Sequence, residues 1–200
     1  MRYAGRELFK TSWDFAVLPQ LLAELLPRTV VEVGSGTGAS ALWIADALET
    51  ARRYAGDRGG FVVHSFDIKG PPPGAAHDRV VFHFGNSSEP ERTWPAAFLA
   101  GLPHPWLVLD DAHVNVPGIV AHFLPHMEDG EYFYMEDSWG DRKRDIWETT
   151  LLEHEASLVV DALYTDFFGV NVLSAKDGVV RVARRPRAPP RRDPRDVPGA

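Results

Sequence analysis

The sequence contains the stretch Val30-Val31-Glu32-Val33-Gly34-Ser35-Gly36-Thr37-Gly38, in which β-branched residues run into an acid and then into three glycines at alternate positions. An amphipathic run over residues 39–48 follows at once, so the pattern predicts a buried strand, a tight turn and a helix that begins inside the turn. Glycine tolerates positive φ and brings no Cβ toward a ligand. The free N–H groups at the start of the helix then face whatever lies in the turn. The stretch therefore predicts a site for a nucleotide-like ligand.

The composition is that of one soluble globular domain. The chain has 200 residues, of which 44% are hydrophobic and 24% charged, and it contains no cysteine, which excludes disulfides, thiolate metal sites and a cysteine nucleophile. The formal net charge is −7 although residues 184–200 hold six arginines and only two aspartates, so the rest of the chain is acidic. This charge argues against broad nucleic-acid binding and favours a cation or a cationic cofactor. We expect the proline- and arginine-rich residues 185–200 to be disordered. Because the sequence has no long apolar run, we also expect a cytoplasmic protein with no membrane segment.

Strand and helix patterns alternate through the first 160 residues. We predict strands over 29–33, 61–66, 79–84, 106–109, 131–135, 158–163, 170–173 and 179–182, and helices over 13–26, 39–54, 95–100, 116–127 and 142–155. Ser12 is the expected N-cap of the first helix, and residues 175–178 are the expected turn of a final hairpin. Such alternation predicts an α/β, Rossmann-like doubly wound sheet, mostly parallel, with an antiparallel C-terminal hairpin at its edge. The predicted organisation is an N-terminal helical segment over 1–28 packed on a single domain over 29–184, followed by the tail.

Polar residues end each of the first five predicted strands, at the edge where open parallel sheets bind ligands. These residues are the glycine turn, Asp67, Asn86 with Ser87, Asp110, and Glu136 with Asp137. Asp67 suits two ribose hydroxyls because a carboxylate can accept both hydrogen bonds; the alternative is that it caps a helix. Gly34, Gly36 and Ala39 also satisfy the G-x-G-x-x-A pattern of dinucleotide sites. That site expects its acid about 20 residues further on, whereas Asp67 lies 31 residues after Gly36, and no lysine follows the glycines as a P-loop requires.

The pattern Glu32-x-Gly34-x-Gly36-x-Gly38, taken together with Asp67, resembles the S-adenosylmethionine (SAM) site of class I methyltransferases. By that resemblance the residues from Gly34 to Gly36 line the amino-acid end of SAM, Glu32 supports the loop and Asp67 holds the ribose. The cofactor-binding residues that it implies are Glu32, Gly34, Ser35, Gly36, Gly38, Asp67, Asn86 and Ser87, with the last two near the adenine. The pattern identifies a cofactor shared by a whole superfamily and leaves the acceptor open.

A second group of acids ends two strands that we expect to be neighbours. Asp110, Glu136 and Asp137 would repel one another strongly unless a cation lay among them, and ligands that are all oxygen select a hard ion such as Mg²⁺ or Ca²⁺. Three protein oxygens leave positions on such an ion for a substrate with vicinal hydroxyls. His113 follows three residues after Asp110, and a neutral imidazole suits proton removal near neutral pH. Unrelated helix-capping acids and a surface histidine are the alternative interpretation of the same residues.

The segments Leu109-Asp110-x-x-His113 and Met135-Glu136-Asp137-Ser138 together resemble the cephalosporin hydroxylase/rhamnosyl O-methyltransferase family, and they are similar to metal-dependent macrolide-sugar O-methyltransferases. The resemblance includes Lys10-Thr11-Ser12-Trp13-Asp14 and extends over residues 10–184. It implies that the catalytic residues are His113, as the base, and Asp110, and that the Mg²⁺ ligands are Asp110, Glu136 and Asp137. The family often has a second acid where Ala112 stands, and Asp111 is the candidate to replace it.

Together these residues and the resemblances that they carry predict a SAM- and Mg²⁺-dependent O-methyltransferase that acts on a hydroxyl of a small molecule, with a sugar or a natural-product vicinal diol as the expected acceptor. An NAD(P)-linked oxidoreductase and a non-catalytic SAM-binding subunit of a biosynthetic complex are the alternatives. No nucleic-acid or membrane partner is expected, and a homo-oligomer stays open. The sequence leaves the acceptor, the methylated position and the role of the tail undecided.

Overall fold

The computed structural model of the protein describes residues 1–184, apart from the side chains of residues 141 and 142. The predicted tail, residues 185–200, lies outside the described residues. The helices are α1 (Ser12–Leu25), α2 (Ala39–Ala55), α3 (Pro90–Thr93), α4 (Ala96–Leu99), α5 (Val116–Phe123), α6 (Asp141–Glu153) and α7 (Ala162–Thr165), and a 3₁₀ turn over Leu124–His126 extends α5. The strands are β1 (Arg2–Tyr3), β2 (Arg6–Glu7), β3 (Thr29–Val33), β4 (Val62–Asp67), β5 (Val80–Phe84), β6 (Trp106–Asp110), β7 (Tyr132–Met135), β8 (Leu158–Val160) and β9 (Val179–Val182). None of these helices is long and apolar enough to cross a membrane.

Seven of these strands form one sheet in the order β5-β4-β3-β6-β7-β9-β8. The five strands from β5 to β7 in that order pair in parallel, whereas β9 pairs antiparallel with both β7 and β8. The strands β1 and β2 form a separate antiparallel ladder near the N-terminus. The predicted α/β, Rossmann-like doubly wound sheet with an antiparallel edge is confirmed.

The two central strands, β3 and β6, are buried along their whole length. Alternate side chains of a strand point to opposite faces of the sheet, so each face of β3 packs against a different helical layer. Val30 belongs to the apolar cluster that contains Leu18 of α1 and Ile44 of α2. Val31 belongs to the cluster on the other face, which contains Ile119 of α5 and Trp147 of α6. Strands with no solvent-exposed face explain the continuous apolar runs in the sequence.

The pairing register brings the ends of the central strands to one edge of the sheet. Val33, the last residue of β3, pairs with Phe66 of β4 and with Asp110 of β6. The hydrogen bonding continues past the strands, because the Asp111 N–H donates to the Val33 carbonyl at 2.9 Å and the Glu136 N–H donates to the Asp110 carbonyl at 3.1 Å. The loops that follow β3, β6 and β7 therefore begin side by side at the same edge of the sheet.

The structure differs from the sequence-based prediction at Ser12, in the strand predicted over 158–163 and in the strand predicted over 170–173. The strand over 158–163 ends at Val160, because Asp161 is the N-cap of α7 and its Oδ1 accepts from the Leu163 N–H at 3.1 Å. Ser12 is not the N-cap of α1, because Thr11 takes that role in a capping box with Asp14: the Thr11 hydroxyl accepts from the Asp14 N–H at 3.3 Å, and the Asp14 carboxylate accepts from the Thr11 N–H at 2.7 Å. The predicted strand over 170–173 is also wrong; residues 175–178 do form a turn, closed by the Gly178 N–H donating to the Ala175 carbonyl at 2.9 Å, but it joins no hairpin. Asn171 has a left-handed φ of 52° that interrupts extended backbone, and β9 already has a partner strand on each side. The antiparallel edge is built from β9 and β8 instead.

Candidate active site

The glycine turn after β3 packs directly against the loop that follows β6. Gly34 has a φ of +105°, and a Cβ at this residue would lie 2.9 Å from the backbone nitrogen of Ala112 and 2.9 Å from the carbonyl carbon of Asp111. Gly38, the N-cap of α2, has a φ of +80°, and a Cβ there would lie 2.7 Å from Cγ of Pro72. Both positions therefore require glycine for its conformation and for the close approach of neighbouring atoms.

A cavity of about 420 Å³ opens beside this turn, which is within the range of small-molecule sites. Its lining includes five of the eight predicted cofactor residues, namely Gly34, Gly36, Asp67, Asn86 and Ser87. Its apolar lining includes Phe9, Val33, Phe66, Ile68, Trp94 and Val114. The other three predicted residues are not in the lining: Glu32 and Ser35 are buried and Gly38 begins α2.

Asp67 ends β4 and is fixed by two backbone donors. Its Oδ2 accepts from the Gly36 N–H at 2.9 Å, and its Oδ1 accepts from the Lys69 N–H at 2.8 Å. Each carboxylate oxygen has a further lone pair, so Asp67 can still accept hydrogen bonds from two hydroxyls of a ligand. The carboxylate is thus oriented toward the cavity by the same turn that lines it.

Glu32 lies beneath the glycine turn and is almost fully buried. Its Oε2 accepts a hydrogen bond from the Ser65 hydroxyl, which lies 2.5 Å from the Ser35 hydroxyl. This polar chain joins β3, β4 and the turn. Burial raises the pKa of Glu32, and the positive charge of Lys10 partly opposes that rise. These contacts make Glu32 a support for the turn, one step removed from the cavity.

Asp110 ends β6 with one carboxylate oxygen unused. Its Oδ1 accepts from the Ala112 N–H at 3.0 Å, whereas its Oδ2 is buried without a hydrogen-bond partner in the part of the chain that the structure describes. Burial raises the pKa of Asp110 to about 6, although the charge of Lys143 acts in the opposite direction. A buried carboxylate oxygen without a partner is costly unless a donor or a cation reaches it. The position therefore suits a cation ligand.

Glu136 is paired with Lys10, a residue to which the sequence-based prediction assigned no role. The Lys10 ammonium nitrogen lies 2.7 Å from both carboxylate oxygens of Glu136 and 2.7 Å from Oδ2 of Asp111. The side chains of Lys10 and Glu136 are only 1% and 5% exposed. Burial alone would lower the pKa of Lys10, but the two carboxylates outweigh it and raise that pKa. Burial raises the pKa of Glu136, and the short contacts from the Lys10 ammonium group oppose that rise.

His113 lies between two carboxylates and a second lysine. Its Nε2 is 3.5 Å from Oδ1 of Asp111 and 3.6 Å from Oδ2 of Asp137. Its Nδ1 is 2.5 Å from Nζ of Lys143, which also donates to the Glu136 carbonyl. His113 and Asp137 both have left-handed φ values, 58° and 50°, and such strain is frequent at functional sites. Burial, and then the charge of Lys143, lowers the pKa of His113, which favours the neutral imidazole.

The predicted metal ligands do not all face one point. Among the described residues Asp110 has a buried oxygen without a partner, and the Asp137 side chain is 48% exposed, whereas Glu136 is engaged in its ion pair. Instead, one ligand atom from each of Asp111, His113 and Asp137 lies within 4.8 Å of the others, a separation that one ion can bridge. Asp111 is therefore a candidate cation ligand in addition to the three predicted acids.

The charges at this edge of the sheet favour a divalent cation. The acids are Asp110, Asp111, Glu136 and Asp137, and the ammonium groups are those of Lys10 and Lys143. Four carboxylates against two ammonium groups leave two negative charges when His113 is neutral. A hard divalent ion with oxygen ligands would neutralise them, and the unpartnered Asp110 oxygen is the observation that an ion there would explain.

The chain is similar to solved structures, whereas no protein-family model and no curated protein matches it. The apo structure of CmcI aligns with a TM-score of 0.74 at 27% identity, over 92% of this chain and 77% of CmcI. The Mg-SAM structure of CmcI aligns with a TM-score of 0.70 at 26% identity, over 92% and 76% of the two chains. The chain has the fold of a class I O-methyltransferase.

This O-methyltransferase fold is shared with a more distant protein. TomG from Streptomyces achromogenes, an O-methyltransferase solved in complex with SAM, aligns with a TM-score of 0.58 at 12% identity, over 89% of this chain and 82% of TomG. That likeness concerns the fold alone. The predicted resemblance to class I O-methyltransferases is confirmed by the matches to CmcI.

Proposed function

We propose that this protein is a SAM- and Mg²⁺-dependent O-methyltransferase that acts on a hydroxyl of a small molecule, one of a vicinal pair. We call Asp110, Asp111, His113, Glu136 and Asp137 the acid cluster. The observation that supports the proposal most directly is that the cavity and this cluster share a wall. Asp111, Ala112 and Val114 line the cavity beside the glycine turn, while Asp111 and His113 belong to the acid cluster. A methyl donor in the cavity and a cation in the cluster would therefore be neighbours.

The cavity offers SAM both polar and apolar contacts. Asp67 would accept the ribose hydroxyls, and the glycine turn at the start of α2 would face the amino-acid end. Asn86 and Ser87 would lie near the adenine, where Phe66 and Trp94 supply apolar surface. The CmcI structure with Mg-SAM, 26% identical to this chain, supports the same pair of cofactors here.

The acid cluster could hold Mg²⁺, since the ligand atoms of Asp111 and Asp137 already lie within 4.8 Å of one another. Asp110, through its unpartnered Oδ2, and Asp137 would be ligands, with Asp111 as a third. Glu136, which the sequence predicts as a ligand, would bind the ion only if its contacts with Lys10 were broken. The bound ion would supply positive charge that lowers the pKa of the acceptor hydroxyl.

His113 would take the proton of the acceptor hydroxyl. When Lys143 is protonated it donates to Nδ1, and a neutral His113 then holds its own proton on Nε2, which faces Asp111 and Asp137. The lone pair is then on Nδ1, and this nitrogen would accept the proton once Lys143 turns to the substrate oxygen. A base positioned in this way typically contributes about 10²–10⁴-fold to the rate.

Isothermal titration calorimetry with SAM, S-adenosylhomocysteine and NAD⁺ tests the cofactor. We expect the first two to bind and NAD⁺ not to bind, and binding of NAD⁺ alone would favour an oxidoreductase. Transfer of a labelled methyl group to a panel of hydroxyl compounds then distinguishes an enzyme from a non-catalytic subunit, since the subunit would bind SAM without forming product. A natural-product acceptor, a homo-oligomer and a cytoplasmic location stay predictions.

A further inference from the structure

A second cavity, of about 560 Å³, lies on the other side of the loop after β6. It is formed by that loop, by the first turn of α5 and by the first half of α6. Its wall is largely apolar, with Val114, Val116, Pro117 and Ile146, and its polar groups include His113 and Lys143. The proposed proton acceptor therefore lies in the lining of a cavity that the SAM site does not use.

The two cavities are adjacent. Val114 lines both of them. Asn115 lines the second cavity and donates through Nδ2 to the Ser87 carbonyl at 2.8 Å, and Ser87 lines the first. The loop after β6 thus separates the cavity proposed for the methyl donor from the second cavity.

The chemistry of the lining selects among acceptors. Val114 and Ile146 are 47% and 36% exposed, so they offer apolar surface to a ligand. A sugar has hydroxyls around its whole ring, and those that face the valine, proline and isoleucine side chains would lose their hydrogen bonds to water without replacement. A planar aromatic ring would cover the same side chains without that loss, and its hydroxyls could meet His113 and Lys143.

We propose that this second cavity is the acceptor subsite and that it takes an aromatic ring with two adjacent hydroxyls rather than a sugar. The inference rests on the proposed function and specifies its substrate class. Lys143 faces the phenolic oxygen as a positive charge and a donor. The phenolic oxygen forms its bond to the methyl carbon as the carbon–sulfur bond of the donor breaks, the electron pair of that bond stays on sulfur, and the phenolic proton passes to His113.

Binding and turnover of two probes test this assignment. Calorimetry with 2,3-dihydroxynaphthalene and with methyl rhamnopyranoside, on the protein with Mg²⁺ and S-adenosylhomocysteine, reports binding without turnover. We expect the aryl diol to bind and to be methylated with a kcat/KM at least about 100-fold above that of the glycoside, a ratio equivalent to about 2.7 kcal/mol. A glycoside that binds and reacts as well as the aryl diol would overturn the substrate class.

A matched pair of variants on α6 tests the location. Ile146→Asn places a polar amide in the apolar wall and should weaken aryl-diol binding about tenfold, the range expected for a lost apolar contact. Leu152→Asn makes the same change on the same helix at a residue that is 70% exposed and absent from the cavity lining, and it should leave binding unchanged. Equal affinities in both variants would overturn the subsite.

Different results would contradict the proposed function and the proposed acceptor subsite. A protein that binds 2,3-dihydroxynaphthalene with the expected loss in Ile146→Asn, but never transfers a methyl group, retains the subsite and contradicts the proposed function. A protein that binds SAM and methylates only glycosides retains the proposed function and contradicts the subsite. SAM affinity, measured in each variant by calorimetry, should be the same as in the parent protein.

Discussion

Lys10 bridges two carboxylates of the acid cluster in the described structure. Replacing it should therefore change both the free energy of unfolding and the affinity for Mg²⁺. Its ammonium nitrogen lies 2.7 Å from three carboxylate oxygens of Glu136 and Asp111, and its side chain is 1% exposed. In the variant Lys10→Met the side chain keeps a similar length but loses its charge. Glu136 is then a buried carboxylate without its partner.

The expected magnitude follows from that loss. Removing one partner of a buried ion pair typically costs about 3–5 kcal/mol, because the other charge stays buried and uncompensated. For a domain of this size each kcal/mol lowers the melting temperature by about 2–4 °C, so the variant should melt about 6–20 °C lower. Mg²⁺ would meet one positive charge fewer in the variant, so its affinity should rise by at least about tenfold, equivalent to about 1.4 kcal/mol.

Thermal unfolding in EDTA and in Mg²⁺, together with Mg²⁺ titration, measures both effects. Lys69→Met is the control, since Lys69 is an exposed lysine at the same edge of the sheet and such a change alters stability by only about 0.5 kcal/mol. We expect Mg²⁺ to stabilise Lys10→Met by more than it stabilises the parent protein. A variant that melts with the parent protein, or that binds Mg²⁺ with the parent's affinity, would refute the role of Lys10.

Three further predictions concern the glycine turn, the cation and the core. Gly34→Ala should weaken SAM binding at least about tenfold in calorimetry, because the new Cβ would meet backbone atoms at 2.9 Å, including the Ala112 nitrogen. Asp137→Asn should abolish Mg²⁺-dependent methyl transfer while SAM affinity changes less than about twofold. Burial and the charge of His83 lower the pKa of His64 to about 4, so between pH 6.5 and 4 the unfolded chain binds a proton that the folded protein does not. Stability should therefore fall as pH falls through this window, and His64→Gln should reduce that dependence in denaturant titrations.

Each of these has an outcome that contradicts it. SAM affinity that survives Gly34→Ala would mean that the turn can move away from the loop after β6. Full activity of Asp137→Asn would remove that carboxylate from the cation site. An unchanged slope of stability against pH in His64→Gln would place the titrating proton on another residue.

The fold and the edge that carries the site could be predicted because both depend on local patterns. The alternation of strands and helices indicates a parallel sheet, and a parallel sheet brings the ends of its strands to one edge. Asp67 and Asp110 directly follow predicted strands, and Asp137 follows another with only Glu136 between, so their positions could be deduced from their neighbours in sequence. The same reasoning found Gly34, although its close contact with Ala112 could not be foreseen.

The lysines could not be predicted in the same way. Lys10 pairs with Glu136, 126 residues away, and no local pattern marks a lysine that will be buried against acids. Lys10 does lie in the segment that carries the family resemblance, which was the available signal. Lys143 lies on α6, whose apolar periodicity reports only which face is buried, and its contact with His113 depends on how α6 packs.

The false strand over 170–173 shows where pattern alone fails. Val170 and Val172 alternate with smaller or polar residues as a strand does, yet they are 83% and 47% exposed. A strand also needs a free sheet edge, and β9 has β7 and β8 on its two sides. The availability of a partner is a property of the whole sheet, so it cannot be read from these residues.

The central claim is that the cavity beside the glycine turn and the acid cluster work together as a SAM- and Mg²⁺-dependent site. Methyl transfer from SAM labelled in its methyl group, to a panel of aryl diols and glycosides with Mg²⁺ or with EDTA, tests this claim most directly. We predict labelled product with Mg²⁺ and its loss in EDTA. Full turnover in EDTA, or no product from any acceptor by a protein that binds SAM, would contradict it.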